Sequence, residues 1–134
     1  MHFARRLQAE ALISPPGEQN TLDLRPLEGF VVAITPFNFT SIAGNLPTAP
    51  ALLGNVVIWK PSPYAVLSAH VIRELLRDAG LPDGVVQLLP GDAETLSDEL
   101  LASPDFAGLG FTGSPAVCLR LYRRVGERIV SYRG

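Results

Sequence analysis

Cysteine is nearly missing from this sequence: Cys118 is the only one in 134 residues. A single thiol excludes an internal disulfide framework and suits a reducing compartment. Charge is scarce too. Acidic and basic residues make up 18% of the chain and leave a net charge of −2, so nothing electrostatic points to nucleic acid or an anionic membrane. No apolar run reaches the roughly 18 residues of a membrane span, and the opening MHFARRLQAEAL is too polar for a secretory signal. His2 and His70 have no partners at metal or triad spacing, and no zinc, P-loop or hydrolase motif occurs. These absences predict a soluble cytoplasmic protein with no metal and with neither nucleic acid nor membrane among its partners. There is also no internal repeat and no low-complexity segment.

What is present is apolar and ordered. Apolar residues make up 47% of the chain, enough for a core in a domain of about 100–150 residues. The organising stretch is Phe30 to Lys60, FVVAITPFNFTSIAGNLPTAPALLGNVVIWK. It reads as an apolar strand (Phe30 to Thr35), a sharp loop carrying Asn38, a helix, and a second apolar strand (Asn55 to Lys60). Strands buried on both faces with a helix between them make a βαβ unit of a parallel sheet. Before this unit, residues 1–29 form a helix (His2 to Leu12), a loop (Ser14 to Asn20) and a short alternating strand (Thr21 to Pro26). After it come a helix over Tyr64 to Ala79 opened by Ser62-Pro63, and a third strand (Gly84 to Pro90). A helix over Ala93 to Ala102 with Asp92 as its cap and a fourth strand (Ala107 to Phe111) follow. A last helix runs to about Val130. Leu67, Val71, Ile72, Leu75 and Leu76 form one apolar stripe, and Val117, Leu121, Val125 and Ile129 another. Repeated βα pairs predict an α/β fold, a doubly wound parallel sheet over residues 30–134.

In such sheets ligands bind beyond the carboxyl ends of the strands, and the polar groups fall there. Asn38 can donate to a developing oxyanion or serve only its own turn. Lys60 can hold a ribose or phosphate, or snorkel to solvent. Thr112-Gly113-Ser114-Pro115 combines close approach, a cap and a preset first turn, with free N–H groups suited to a pyrophosphate or simply to a well-capped helix. Gly108 to Gly113 matches G-x-G-x-x-G by letter, but its first two glycines fall inside the predicted strand, so it is not a dinucleotide fingerprint. Cys118, next to the last apolar stripe, reads as a small buried hydrophobe. Arg120, Arg123, Arg124 and Arg128 read as a solvated face.

TPFNFT at Thr35 to Thr40, GNVVIWKPS at Gly54 to Ser62, AGLPDGVVQLLPG at Ala79 to Gly91 and FTGS at Phe111 to Ser114 occur in that order. With these the chain resembles the aldehyde dehydrogenase superfamily over nearly its whole length. The stretch EGFVVAITPFNFTSIAGNLPTAPALLGN resembles the branch that oxidises L-glutamate γ-semialdehyde in proline degradation. The resemblance implies a Rossmann-like NAD-binding domain and NAD as cofactor, a small aldehyde as substrate, and homo-oligomers at full length. By analogy Asn38 is the catalytic oxyanion stabiliser, and Thr35 and Phe37 line the cofactor cleft. Lys60 would bond the adenosine ribose beside Ser62. Gly113, Ser114, Pro115, Ala116 and Val117 would border the pyrophosphate and nicotinamide path. Many members carry an acidic residue three places after the lysine; here it is Pro63, which leaves the choice of NAD or NADP open. The family's Glu-x-Gly-Gly-Lys base and its nucleophilic cysteine match nothing up to Gly134. The expectation is therefore the N-terminal portion of an enzyme, inactive alone. The alternative is a nucleotide-binding or partner-binding module without catalysis.

Overall fold

The computed structural model describes residues 2–9 and 12–133. Four strands form one parallel sheet: β1 (Phe30–Thr35), β2 (Val56–Pro61), β3 (Val86–Leu88) and β4 (Phe106–Phe111). Their spatial order is β3-β2-β1-β4. The chain therefore steps outward from β1 to β3, then crosses back to lay β4 on the other side of β1. Right-handed crossovers in opposite directions put their helices on opposite faces. Accordingly α2 (Thr40–Leu52) and α3 (Val66–Asp78) cover one face, while α4 (Ala93–Ala102) and α5 (Pro115–Glu127) cover the other. A first helix, α1 (His2–Gln8), precedes the sheet. Among the described residues no helix is long and apolar enough to cross a membrane.

Side chains alternate across a strand, so each strand feeds two cores. On one face Val31, Ala33, Val57, Trp59 and Val86 pack against Ala43 of α2 and Ala69 of α3. On the other, Val32 and Phe106 meet Leu101 of α4 and Leu121 of α5. The small residues decide the spacing. Ile72 of α3 lies 3.7 Å from where a side chain on Gly44 of α2 would begin, which lets the two helices close together. Pro47 and Pro50 sit inside α2 and cannot donate to the helix ladder. The Thr48 hydroxyl donates to the Gly44 carbonyl at 2.9 Å in the same stretch.

Several expectations need correction. Thr21 to Pro26 is not a strand; it runs as exposed chain with Leu22 and Leu24 half in solvent, and no neighbour pairs with it among the described residues. A sidechain tie holds the end of this segment instead: Leu27 N–H donates to Asn55 Oδ1 at 2.9 Å. Leu12 lies outside α1, and Glu10 and Ala11 fall outside the described residues. The stretch Pro63–Ala65 is a 3-10 turn leading into α3. The apolar stripe on α3 also divides. Ala69 is buried and Ile72 half-buried, while Leu67, Val71 and Leu75 are exposed, because the small Ala69 line is the one that fits against the sheet. Helix α5 ends at Glu127, and Ile129 is exposed in the following turn. The glycines of the letter-match motif lie within or just after β4: Gly108 and Gly110 pair with Val31 and Ala33.

One turn in the chain has no room for a side chain. Gly29 enters β1 at φ +104°, and a Cβ there would overlap the Asp105 carbonyl. The same carbonyl accepts the Phe30 N–H at 2.9 Å, tying β1 to the start of β4. Gly29→Ala is expected to cost about 2–4 kcal/mol in stability, through left-handed strain and the overlap. Urea unfolding of the two proteins measures it, and a loss under 1 kcal/mol would show that the turn relaxes freely.

Candidate functional site at the carboxyl rim of the sheet

The strand order reverses at β1, so the loops after β1 and β4 diverge and leave a crevice at their carboxyl ends, where doubly wound sheets take ligands. Asn38 lies in the loop between β1 and α2, and Gly113 to Val117 form the turn and first residues after β4. Lys60 and Ser62 close β2 on the flank. The structure thus brings the predicted residues to one rim, but on two sides of it.

Thr35 and Phe37 belong to the α2–α3 side. The Thr35 hydroxyl accepts a hydrogen bond from buried Trp59 Nε1 at 2.9 Å, and its carbonyl accepts the Ser62 N–H at 3.0 Å. Thr35 is buried, so it supports the rim from beneath. Phe37 is exposed and meets Tyr64 edge-to-face with ring centroids 5.6 Å apart. Thr35, Phe37, Thr40, Pro61, Ala65 and Ala69 line a narrow crevice there.

Lys60 belongs to the other side. It pairs in register with Ile34, which packs with the α4–α5 core, so its side chain projects from that face. The residue is 3% exposed. Among the described residues no buried side-chain nitrogen or oxygen lacks a hydrogen-bond partner, and none of the described bonds involves the Lys60 ammonium. Its tip is therefore the part that still reaches water, as a snorkelling stem allows. Burial pushes the Lys60 ammonium below its ordinary value, and the Asp92 carboxylate partly offsets this. The start of α5 lies on this same face. Ser114 caps it by accepting from Val117 N–H at 3.4 Å, and Pro115 opens it. Pro115 has no N–H and the next N–H groups have no intrahelical acceptor, so Ala116 can donate outward. A Cβ on Gly113 would crowd the Phe111 ring, which would have to shift to make room.

Asn38 tests its simpler reading directly. The residue preceding α2 is Phe39, in extended conformation and with no side-chain cap. Asn38 makes no hydrogen bond among the described residues and is exposed. Its amide is not spent on its own turn. It stands at the amino end of α2, where the helix dipole favours negative charge.

Two expectations on α5 need correction, one for its cysteine and one for its arginines. Cys118 is exposed rather than buried: buried Leu121, with half-buried Val117 and Val125, packs in the core on this face of the sheet, and Cys118 lines an open groove with Phe111 and Tyr122. The arginines of α5 are not simply solvated, because Arg120 pairs with Glu94 at 3.1 Å and Arg124 pairs with Asp98, joining α5 to α4. Asp92 was read only as a cap. It caps α4 as expected, and its influence on Lys60 could have been suspected only from its place just after a strand.

A model of the aldehyde dehydrogenase family matches residues 1–132. The mitochondrial delta-1-pyrroline-5-carboxylate dehydrogenase of Emericella nidulans is 53% identical over 116 residues, 87% of this chain and 20% of its own length. The corresponding protein of Bos taurus is 44% identical over 131 residues, 98% of this chain and 23% of its own. The crystal structure of Delta-pyrroline-5-carboxylate dehydrogenase from Mycobacterium tuberculosis bound with NAD is 56% identical, with a TM-score of 0.93 over 98% of this chain and 25% of that one. This chain thus spans about a fifth to a quarter of the length of the proteins it matches.

The buried lysine carries a pH signature. Its folded pKa lies below the unfolded value of 10.5, so the unfolded chain binds more protons as pH rises toward that value, and stability gains in that window. Compared with Lys60→Met, the unfolding free energy of the native chain is expected to rise between neutral pH and pH values near 10.5. Urea unfolding of both proteins across that range reads the difference, and a difference that falls would show that burial does not burden the ammonium.

Proposed function

This chain belongs to the aldehyde dehydrogenase family, and from that premise we propose that it supplies the dinucleotide-facing rim and the oxyanion amide of an NAD-dependent enzyme acting on 1-pyrroline-5-carboxylate, as L-glutamate γ-semialdehyde, in proline degradation. The observation that carries the reading is that Asn38 and Lys60 both stand at the carboxyl rim, and neither side chain makes a hydrogen bond or ion pair among the described residues. Polar groups of that kind at a switch point are what a ligand completes.

The donor set fits a dinucleotide. An ammonium suits ribose hydroxyls, and outward N–H groups at a helix start suit a diphosphate. Lys60, with Ser62 at the next bend, would hold the adenosine ribose. Gly113, Ser114, Pro115, Ala116 and Val117 would follow the diphosphate toward the reacting end. Phe37 and the buried Thr35 would shape the opposite wall. When bound, NAD supplies the hydride acceptor. Asn38 acts on the substrate: its side-chain N–H donates to the aldehyde oxygen as that oxygen gains negative charge. One such donor is worth about 100- to 1,000-fold in rate where water is excluded.

Oxidation of an aldehyde to an acid in this way also needs a nucleophile and a base for water. The one cysteine, Cys118, faces the groove beside β4 rather than Asn38's loop. The chain alone therefore binds without turning over. Isothermal titration is expected to show saturable NAD binding that weakens about tenfold or more in Lys60→Met. With NAD and 1-pyrroline-5-carboxylate together, no NADH absorbance should grow. Equal binding by both variants would remove Lys60 from the site, and NADH formation would overturn the claim of silence.

A further inference from the structure

We propose that the outer edge of β4 is a self-association surface: two copies of this chain join β4 to β4, antiparallel, across a twofold axis, and so merge their sheets into one. The proposal is independent of the dinucleotide rim. A four-stranded sheet has two edges, and here they differ. β3 is three residues long, Val86–Leu88, and Pro90 follows two residues on. A short edge closed by proline resists pairing. β4 runs for six residues, FAGLGF, with neither charge nor proline, and it pairs with β1 alone.

Register fixes which backbone groups face outward. Ile34 and Phe111 are partners, and the Ile34 carbonyl accepts Thr112 N–H at 3.2 Å. In a parallel ladder the residues on either side of Phe111 then bond to β1, and the N–H and C=O of Phe111 itself point away. The same holds for Leu109, the partner of Val32. These outward groups have no partner among the described hydrogen bonds. The chain's own C-terminal turn stops short of them. Arg133 N–H donates to the Pro104 carbonyl at 3.1 Å, and its guanidinium pairs with Asp105 at 2.9 Å.

The outward set complements itself, which is why the occupant is a second copy. About a twofold axis at Gly110, Leu109 of each copy stands opposite Phe111 of the other, and each pair exchanges two N–H···O bonds. The two Gly110 residues meet at the axis without side chains, at the position where antiparallel backbones come closest. Leu109 and Phe111 belong to the α4–α5 face, so the cross-strand Leu–Phe pairs form there. On that face they border the groove of about 310 Å³ lined further by Cys118, Leu121, Tyr122 and Val125. Two such grooves, joined at the seam, cover each other's apolar walls, and no like charges meet within the strand pair. An interface of this symmetry closes at two copies.

Analytical ultracentrifugation of the whole chain is expected to show a mass that rises with concentration from 14.4 kDa to twice that value and no further. Leu109→Pro removes an outward donor while leaving the ladder to β1 intact, and should hold the folded chain as a monomer. Tyr122→Lys changes a side chain that is 76% exposed, so folding is not at stake. It sets like charges against each other across the axis and should weaken the dimer about tenfold or more, with added salt restoring part of the loss. Cys118 should also react more slowly with a thiol reagent at concentrations where the dimer forms. A native chain that stays monomeric, or that grows past two copies, overturns the proposal. So does a dimer that Tyr122→Lys leaves as tight as before, or one that persists in folded Leu109→Pro. Each of these outcomes leaves the dinucleotide rim as it stands, since nucleotide binding is read separately.

Discussion

The pairing of β1 on both of its edges is the constraint from which the rest follows. Phe30–Thr35 is hydrogen-bonded to β2 on one side and β4 on the other, and Val32 and Ala33 are wholly buried on opposite faces. A strand so enclosed is apolar up to its last residue, Thr35, whose hydroxyl is satisfied by Trp59, and its other polar groups stand past its end. The chain also changes direction at this strand, outward through β2 and β3, then back across to β4. The crevice at the rim is the geometric remainder of that reversal. The tie from Phe30 N–H to the Asp105 carbonyl sets where β4 begins beside it, and Gly29 is the residue that lets the two backbones come so close.

The rim is electrostatically prepared before any ligand arrives. α2 and α5 both point their amino ends toward it, one behind Asn38 and one behind Ser114, and each adds partial positive charge. Lys60 adds a full one, kept at the surface only at its tip. Asp92 moderates it from the start of α4. A site of this kind binds anionic and hydroxyl groups without large rearrangement, because its charges are held by buried strands and capped helices. The groups that hold the site up are satisfied within the chain, as Thr35 and Trp59 are. The groups that face outward are not.

Much of this was legible in the residues. The apolar runs of β1 and β2 fall within a residue of their predicted bounds, and α4 begins and ends where its cap and pattern place it. The Asn38, Lys60 and Ser114 positions follow from strand and helix ends alone. The failures share one cause, which is that periodicity reports an apolar face but not what covers it. α3 carries two candidate lines, and the Ala69 line won because small side chains allow close packing on the sheet. Thr21 to Pro26 alternates as a strand does, yet alternation without a pairing edge leaves the backbone to solvent. Cys118 sits one step round the helix from Val117, and that step crosses from the core to the groove beside β4.

The residues of this chain determined by themselves that it would form a parallel α/β sheet and which polar groups would stand at its strand ends, because both depend on local apolar pattern and chain direction. Tertiary structure alone decided which face each group serves. Thr35 and Lys60, both at strand ends, came to lie on opposite sides of the sheet through register, which one sequence cannot display. The start of α4 came to the same face of the sheet as Lys60, and beside the end of β2, because β3 lies next to β2, a neighbour relation set by packing between segments far apart in the chain.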